Sequence, residues 1–235
     1  EGNTIPFIAR YRKEAHGSLD DQTLRELSER LEYLRGLEKR REEVRGLIDA
    51  AGALTPEVAA ALDAASTLAE LDDVYRPYRP KRRTRASVAK ERGLEPLAEL
   101  LLAQKSGVDP LAEAARFVDA DKDVPTADDA LAGARDIIAE SVSDDASLRK
   151  RLRVVAMAQA ELVSKAAKPD EDSVYAQYYD FHQPVRQAAG HRVLAVDRGE
   201  REGFLKVSIA FDRARALSIV ESVCLRGASA CTEQV

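Results

Sequence analysis

Tryptophan is absent from this chain, methionine occurs once, cysteine twice, and aromatic residues make up only 5%. The apolar share of 45% therefore rests on alanine, leucine and valine, a mixture that favours helix over sheet. Cys224 and Cys231 have six residues between them, which does not fit the short ligand pairs of zinc sites, and His16, His182 and His191 lie far away in sequence. We expect free thiols, no disulfide, no metal and no cofactor. No apolar run approaches the roughly 20 residues that span a bilayer, and EGNTIPF lacks the basic-then-apolar order of a secretory signal. A soluble, cytoplasmic protein is expected. Phosphate-binding glycine loops, HExxH and GxSxG are all missing. Of the acidic pairs, Asp20–Asp21, Asp128–Asp129 and Asp144–Asp145 fall where helices begin, so capping accounts for them, and Asp72–Asp73 remains. No enzyme is predicted.

What the chain has is charge, and it is unevenly placed. The 235 residues carry a net charge of −5. Between Arg76 and Arg92 stand eight basic residues and one acid, a local net of +7 that leaves −12 for the rest. Such a strip on an acidic body is either a docking surface for a polyanion or an internal clamp against nearby carboxylates. Pro77 and Pro80 disfavour helix at the residue before each, which predicts extended backbone at Arg76 and Arg79 and a non-helical connection to Arg85. Neighbouring side chains of an extended strip point to opposite sides, so only part of it can face one ligand. Tyr75 and Tyr78 are the expected anchors.

The remainder reads as helices. The opening segment, basic at Arg10, Arg12 and Lys13, is a short helix or an extended stretch anchored by Phe7 and Ile8. It begins without an initiator methionine, which suggests a piece of a longer protein. Ser18 with Asp21 signals a long amphipathic helix over 20–51 whose stripe is Leu24, Leu27, Leu31, Leu34, Leu37, Val44 and Ile48. Gly52 ends it, and Thr55–Pro56 starts its antiparallel partner. Thr67 with Glu70 forms a capping box. Helical pattern resumes at Ser87, stops at Gly93 and restarts at Pro96, and further starts stand at Asp109–Pro110 and Thr126–Asp129. The face Leu131, Ala134, Ile137, Ile138 and a helix over 145–166 follow. After residue 169 the texture changes: Tyr175, Tyr178, Tyr179 and Phe181 cluster ahead of a β-hairpin with strands at His191–Asp197 and Phe204–Phe211 around the turn RGEREG. The aromatics are expected to be its packing partner, the alternative being a base-stacking platform.

Four stretches, EGNTIPFIARYRKE at 1–14, LDDVYRPYRPKRRTRASVAKERGLEPLA at 71–98, ALAGARDIIAE at 130–140 and HRVLAVDRGEREGFLKV at 191–207, resemble the N-terminal region of the Tex family of bacterial transcription accessory proteins. The family has Pro-Ser before the histidine of the last motif, whereas Ala189 and Gly190 stand here. The resemblance implies a helical scaffold whose later RNase-H-like, helix-hairpin-helix and OB-fold domains lie outside this chain, with a core similar to that of Spt-type elongation factors.

The expected fold is mainly α, an array of antiparallel helical hairpins with a small C-terminal β-hairpin, divided into a helical region 1–169 and a region 170–235. The expected function is that of a scaffold in a nucleic-acid-binding transcription accessory protein, touching RNA or DNA weakly through Arg79, Lys81, Arg82, Arg83, Arg85 and Lys90, helped by Arg10, Arg12 and Lys13. The alternative is a protein-interaction scaffold that docks its own C-terminal domains or the transcription machinery. No membrane partner is expected.

Overall fold

A computed structural model describes residues 2–80, 83–169, 171 and 173–235. Contacts divide the chain into two compact units, Glu1–Pro80 and Lys81–Val235.

The first unit is all helix: α1 (Ile5–Tyr11), α2 (Lys13–His16), α3 (Asp21–Ala50), α4 (Pro56–Ala64) and α5 (Leu68–Tyr75), closed by a 3₁₀ turn at Arg76–Tyr78. The side chain of Asp20, not Ser18, accepts from the Thr23 amide to start α3, while Ser18 sits at φ 66° in the preceding turn. At the other end Gly52 takes φ 68°, and the amides of Gly52 and Ala53 return to the carbonyls of Asp49 and Ile48. That double closure needs left-handed backbone, which explains the glycine. Thr55 caps α4 as expected. Thr67 caps α5, but Glu70 completes no reciprocal box; its carboxylate accepts from the amide and hydroxyl of Ser66 instead.

Leu37, Val44 and Ile48 of α3 pack with Leu62, Ala65, Leu71 and Tyr75 into one core. Arg41 joins α3 to the end of α4, donating from Nε to the Leu62 carbonyl at 2.9 Å and from Nη2 to that of Ala65 at 2.8 Å. A cation there satisfies carbonyls that the helix end leaves open. The expected leucine stripe is split: Leu24 is buried, whereas Leu27, Leu31 and Leu34 stay exposed because α4 and α5 reach only the second half of α3. The opening segment is helical, but Phe7 is exposed and stacks on Tyr11 at 5.2 Å. It anchors nothing.

The second unit begins with α6 (Arg85–Glu91), α7 (Glu95–Ala103), α8 (Pro110–Ala114), α9 (Ala127–Asp144) and α10 (Ala146–Gln159). Its core joins Ala86, Ala89, Leu94, Leu97 and Leu101 to Ala130, Leu131, Ala134, Ile137 and Ile138, the face read from the sequence. Alanines on α6 let it approach α9 closely, and at Gly133 a Cβ would stand 2.4 Å from a Leu94 methyl.

The chain then forms β1 (Glu161–Ala166), β2 (Asp180–Pro184), α11 (Gly190–Arg201), β3 (Leu205–Ala210) and α12 (Arg213–Cys224). The sheet is antiparallel in the order β2-β1-β3, with Leu162 opposite Gln183 and Ile209, and Ser164 opposite Phe181 and Val207. The mainly helical class with a small antiparallel β element is as expected, but its strands differ. The helix expected over 145–166 ends at Gln159, because Glu161–Ala166 supplies the central strand that edges β2 and β3 both require. Tertiary pairing there outweighs helical propensity. The strand expected at His191–Asp197 is α11 instead; burial falls on Val196 and Gly199, three apart, and Asp197–Arg201 and Arg198–Glu202 pair at helical spacing. RGEREG is thus mostly helix, and the turn is confined to Gly203 at φ 78°. As anticipated, the aromatics pack on this element: Tyr175 and Tyr178 are buried with Val196 and Leu205.

Gly199 has a packing reason to be glycine. A Cβ there would meet Leu205 Cδ1 at 2.6 Å and the Tyr175 ring at 3.0 Å. Gly199→Val is expected to destabilise the chain by about 1–3 kcal/mol in chemical denaturation, from overpacking. Ala189 occupies the N-cap of α11 and offers no side-chain acceptor. Ala189→Asp is expected to stabilise by about 1 kcal/mol, raising the melting temperature.

Candidate nucleic-acid interface

The basic strip leaves α5 through a helical corner. Arg76 is right-handed (φ −53°, ψ −44°) rather than extended, because the 3₁₀ turn continues the helix and Pro77 occupies its opening, where no donor is needed. Arg79 is extended as expected (φ −66°, ψ 134°). Lys81 and Arg82 lie outside the described residues. Helix begins again at Arg85, two residues before the expected Ser87, under a capping box in which Thr84 and Ser87 bond each other's amides at 2.9 and 3.0 Å.

Around Tyr75 the strip is structural. Tyr75 is buried, and the guanidinium groups of Arg40 and Arg79 stand 5.7 and 5.4 Å from its ring centre. Both also reach Asp72 Oδ1, Arg40 at 3.2 Å and Arg79 at 3.7 Å. Hydrogen bonds to Glu43 and then Asp72 push the Arg40 guanidinium further above its ordinary range. Tyr78, the second expected anchor, packs half-buried against the same core.

In the second unit Arg83, Arg85, Lys90 and Arg92 each reach solvent and hold one carboxylate among the described residues. Arg83 meets Glu91 at 3.4 Å with 73% of its side chain exposed, and Arg85 meets Asp136 at 3.5 Å with 88% exposed. Lys90 pairs with Glu95 at 2.9 Å, and Arg92 with Asp123. The strip is thus partly a clamp and partly an exposed row. Exposed pairs of this kind contribute roughly 0–1 kcal/mol each, so a phosphate can replace the carboxylate.

The N-terminal candidates separate in the same way. Arg10 and Lys13 line a shallow groove of about 640 Å³ with Pro6, Leu19, Asp21 and Arg25. Arg12 is held by Glu14 at 2.7 Å.

Other readings can be placed too. Both cysteines are free, and burial pushes each thiol above its usual range. Among the described residues no group of three or more His, Cys, Asp and Glu is set to hold a metal, and no helix is long and apolar enough to cross a membrane. Helix α10, with the sequence ASLRKRLRVVAMAQ, carries Arg149, Lys150, Arg151 and Arg153 with no acid, a second basic cluster that the sequence itself displays.

Comparison with known proteins follows the same division of the chain. Residues 1–49 match a model described as the Tex-like protein N-terminal domain, and residues 105–231 match one described as Tex central region-like. The chain is 46% identical to Protein YhgF of Escherichia coli over 214 residues, which is 90% of this chain and 28% of that protein. It is 43% identical to the Transcriptional accessory protein Tex of Neisseria gonorrhoeae over 213 residues, again 90% of this chain and 28% of that protein. S1 RNA-binding domain-containing protein 1 of Homo sapiens is 29% identical over 218 residues, 89% of this chain and 22% of that protein. The chain thus spans about a quarter of the length of these relatives. With one family model covering more than half of its residues and another its first helices, this chain belongs to the Tex family.

Proposed function

We propose that this chain is the helical scaffold of a transcription accessory protein and that it touches nucleic acid through the exposed part of the basic strip. The observation that carries the reading is the state of Arg83, Arg85 and Lys90: each is exposed and, among the described residues, held by one carboxylate that a phosphate could displace. Lys81 and Arg82 belong to the same run of sequence, and Arg10 and Lys13 extend the cationic surface of the first unit. The transcription role comes from the name of the gonococcal relative, and RNA as a ligand is in keeping with the name of the human one. The chain itself is assigned no reaction.

A second reading, a protein-interaction scaffold, is favoured by the leucines of α3. Leu27, Leu31 and Leu34 form an exposed ridge suited to docking other domains of the same protein or the transcription machinery. In this reading the strip is an internal clamp, as Arg79 over Tyr75 and Arg92 with Asp123 already are.

Two sets of variants separate the roles. Arg83→Glu, Arg85→Glu and Lys90→Glu together are expected to weaken binding of a fluorescent single-stranded oligonucleotide about tenfold or more. They should also lower the slope of log affinity against log salt by about 2, at roughly 0.7 per phosphate contact. Unchanged affinity and slope would remove the strip from the interface. Arg79→Ala, in contrast, is expected to leave binding nearly intact and cost about 1 kcal/mol of stability, read as a lower melting temperature.

A further inference from the structure

Among the described residues of the second unit, the strip's Arg83, Arg85, Lys90 and Arg92 all have carboxylates within ion-pair distance. Arg151, Arg186, Arg213 and Arg215 are exposed, and among the described residues their side chains have no hydrogen-bond or ion-pair partner.

Packing gathers these four around one helix. The 3₁₀ turn Val185–Gln187 packs on α10, and the Val185 amide donates to the Ala160 carbonyl at 2.9 Å, which sets Arg186 at the C-terminal end of α10. Helix α12 also packs on α10. Leu148 and Leu152 from the first half of α10 share a groove with Val220 and Cys224 from the second half of α12. The two helices are therefore antiparallel, and Arg213 and Arg215 fall at that same C-terminal end. The nearby acids have contacts of their own: Asp145 and Asp212 accept from amides at the starts of α10 and α12, and Glu161 and Asp180 face His182 at 3.8 and 3.5 Å. Arg149, Lys150 and Arg153 have contacts of their own and are not needed for the argument.

We propose that α10, with the turn at Arg186 and the start of α12, is a second nucleic-acid site, and that its ligand is a single strand. The positive charge suits a phosphate backbone, and the nine residues of α10 from Arg151 to Gln159 carry the surface over about 12 Å. The preference for a single strand follows from what lies between the cations. Val154 and Met157 point outward beside Lys150, with 64% and 52% of their surface exposed. A duplex keeps the faces of its bases inside the stack; an unpaired strand exposes them, and Val154 and Met157 offer apolar surface that would cover them. The inference shares with the preceding section only the premise that this chain meets nucleic acid, and it uses none of the strip's residues.

The experiment is fluorescence anisotropy of the 235-residue chain with a single-stranded 12-mer, a duplex of equal length and a glutamate-rich peptide, at two salt concentrations. Arg151→Glu, Arg213→Glu and Arg215→Glu together are expected to weaken single-strand binding about tenfold or more and to lower the salt slope by about 2. The melting temperature should stay unchanged. Should the reversal unfold the chain, the corresponding Arg→Gln variant is expected to give a smaller loss in the same direction. Val154→Ser with Met157→Ser should reduce the preference for single strand over duplex. Unchanged affinity and slope in the arginine variants would overturn the proposal. Equal losses on duplex and single strand, with the Val154 and Met157 changes silent, would overturn the single-strand assignment. Capture of the peptide in place of either oligonucleotide would show the patch to be an acidic-protein site instead. Measured beside the strip variants, a silent strip with an active α10 surface rejects only the strip, and the converse rejects only this proposal.

Discussion

With few aromatic side chains available, leucine and isoleucine fill the cores, and two helix contacts of the second unit close by bringing backbones together. Aromatics are 5% of the chain and tryptophan is absent, so alanine and glycine stand at the tightest contacts. Ala86 and Ala89 of α6 meet Ala130, Gly133 and Ala134 of α9, and α11 lies over Leu205 and Tyr175 at Gly199. Close approach lets short side chains fill the space at interior density, but it leaves little room for any added atom. The cost of adding even a methyl group at these glycines follows from that closeness rather than from turn geometry.

Helix ends are set by local chemistry that complements this packing. Asp20, Thr55, Thr67, Thr84, Thr126 and Asp145 each cap a helix through a side-chain oxygen. Gly52 and Gly93 terminate the helices before them at positive φ. Most acidic pairs are thereby occupied in holding helix starts, and fewer carboxylates are left to neutralise the arginines. The result is a division of the basic residues. Arg40, Arg41 and Arg79 hold the first unit together, Arg83 and Arg85 wait in loose pairs, and Arg151, Arg186, Arg213 and Arg215 face solvent with no acidic partner among the described residues.

Much of this was legible in the sequence because it depends on residues close along the chain. The stop at Gly52, the starts at Thr55 and Thr126 and the inward face of α9 are decided within one or two helical turns. The strip was legible as a run of charge, and the aromatic cluster as a packing element. Less legible was which cation does what: Arg79 is tied by Asp72 and Tyr75, neighbours on α5, and by the corner at Arg76 that turns it back toward them. Arg85 finds Asp136, a residue of α9, only once α6 has packed there.

The sequence by itself determined the mainly helical class, most helix starts, the separation of charge and the family. Only the tertiary structure decided the fate of residues 161–211. Glu161–Ala166 is a strand because two edges pair with it, and Gly190–Arg201 is a helix because its Val196 and Gly199 face must cover Leu205 and Tyr175. Both segments have patterns that either state could use, and the choice falls to partners distant in sequence. The same holds for the leucines of α3, alike in spacing yet split between core and solvent by where α4 and α5 end.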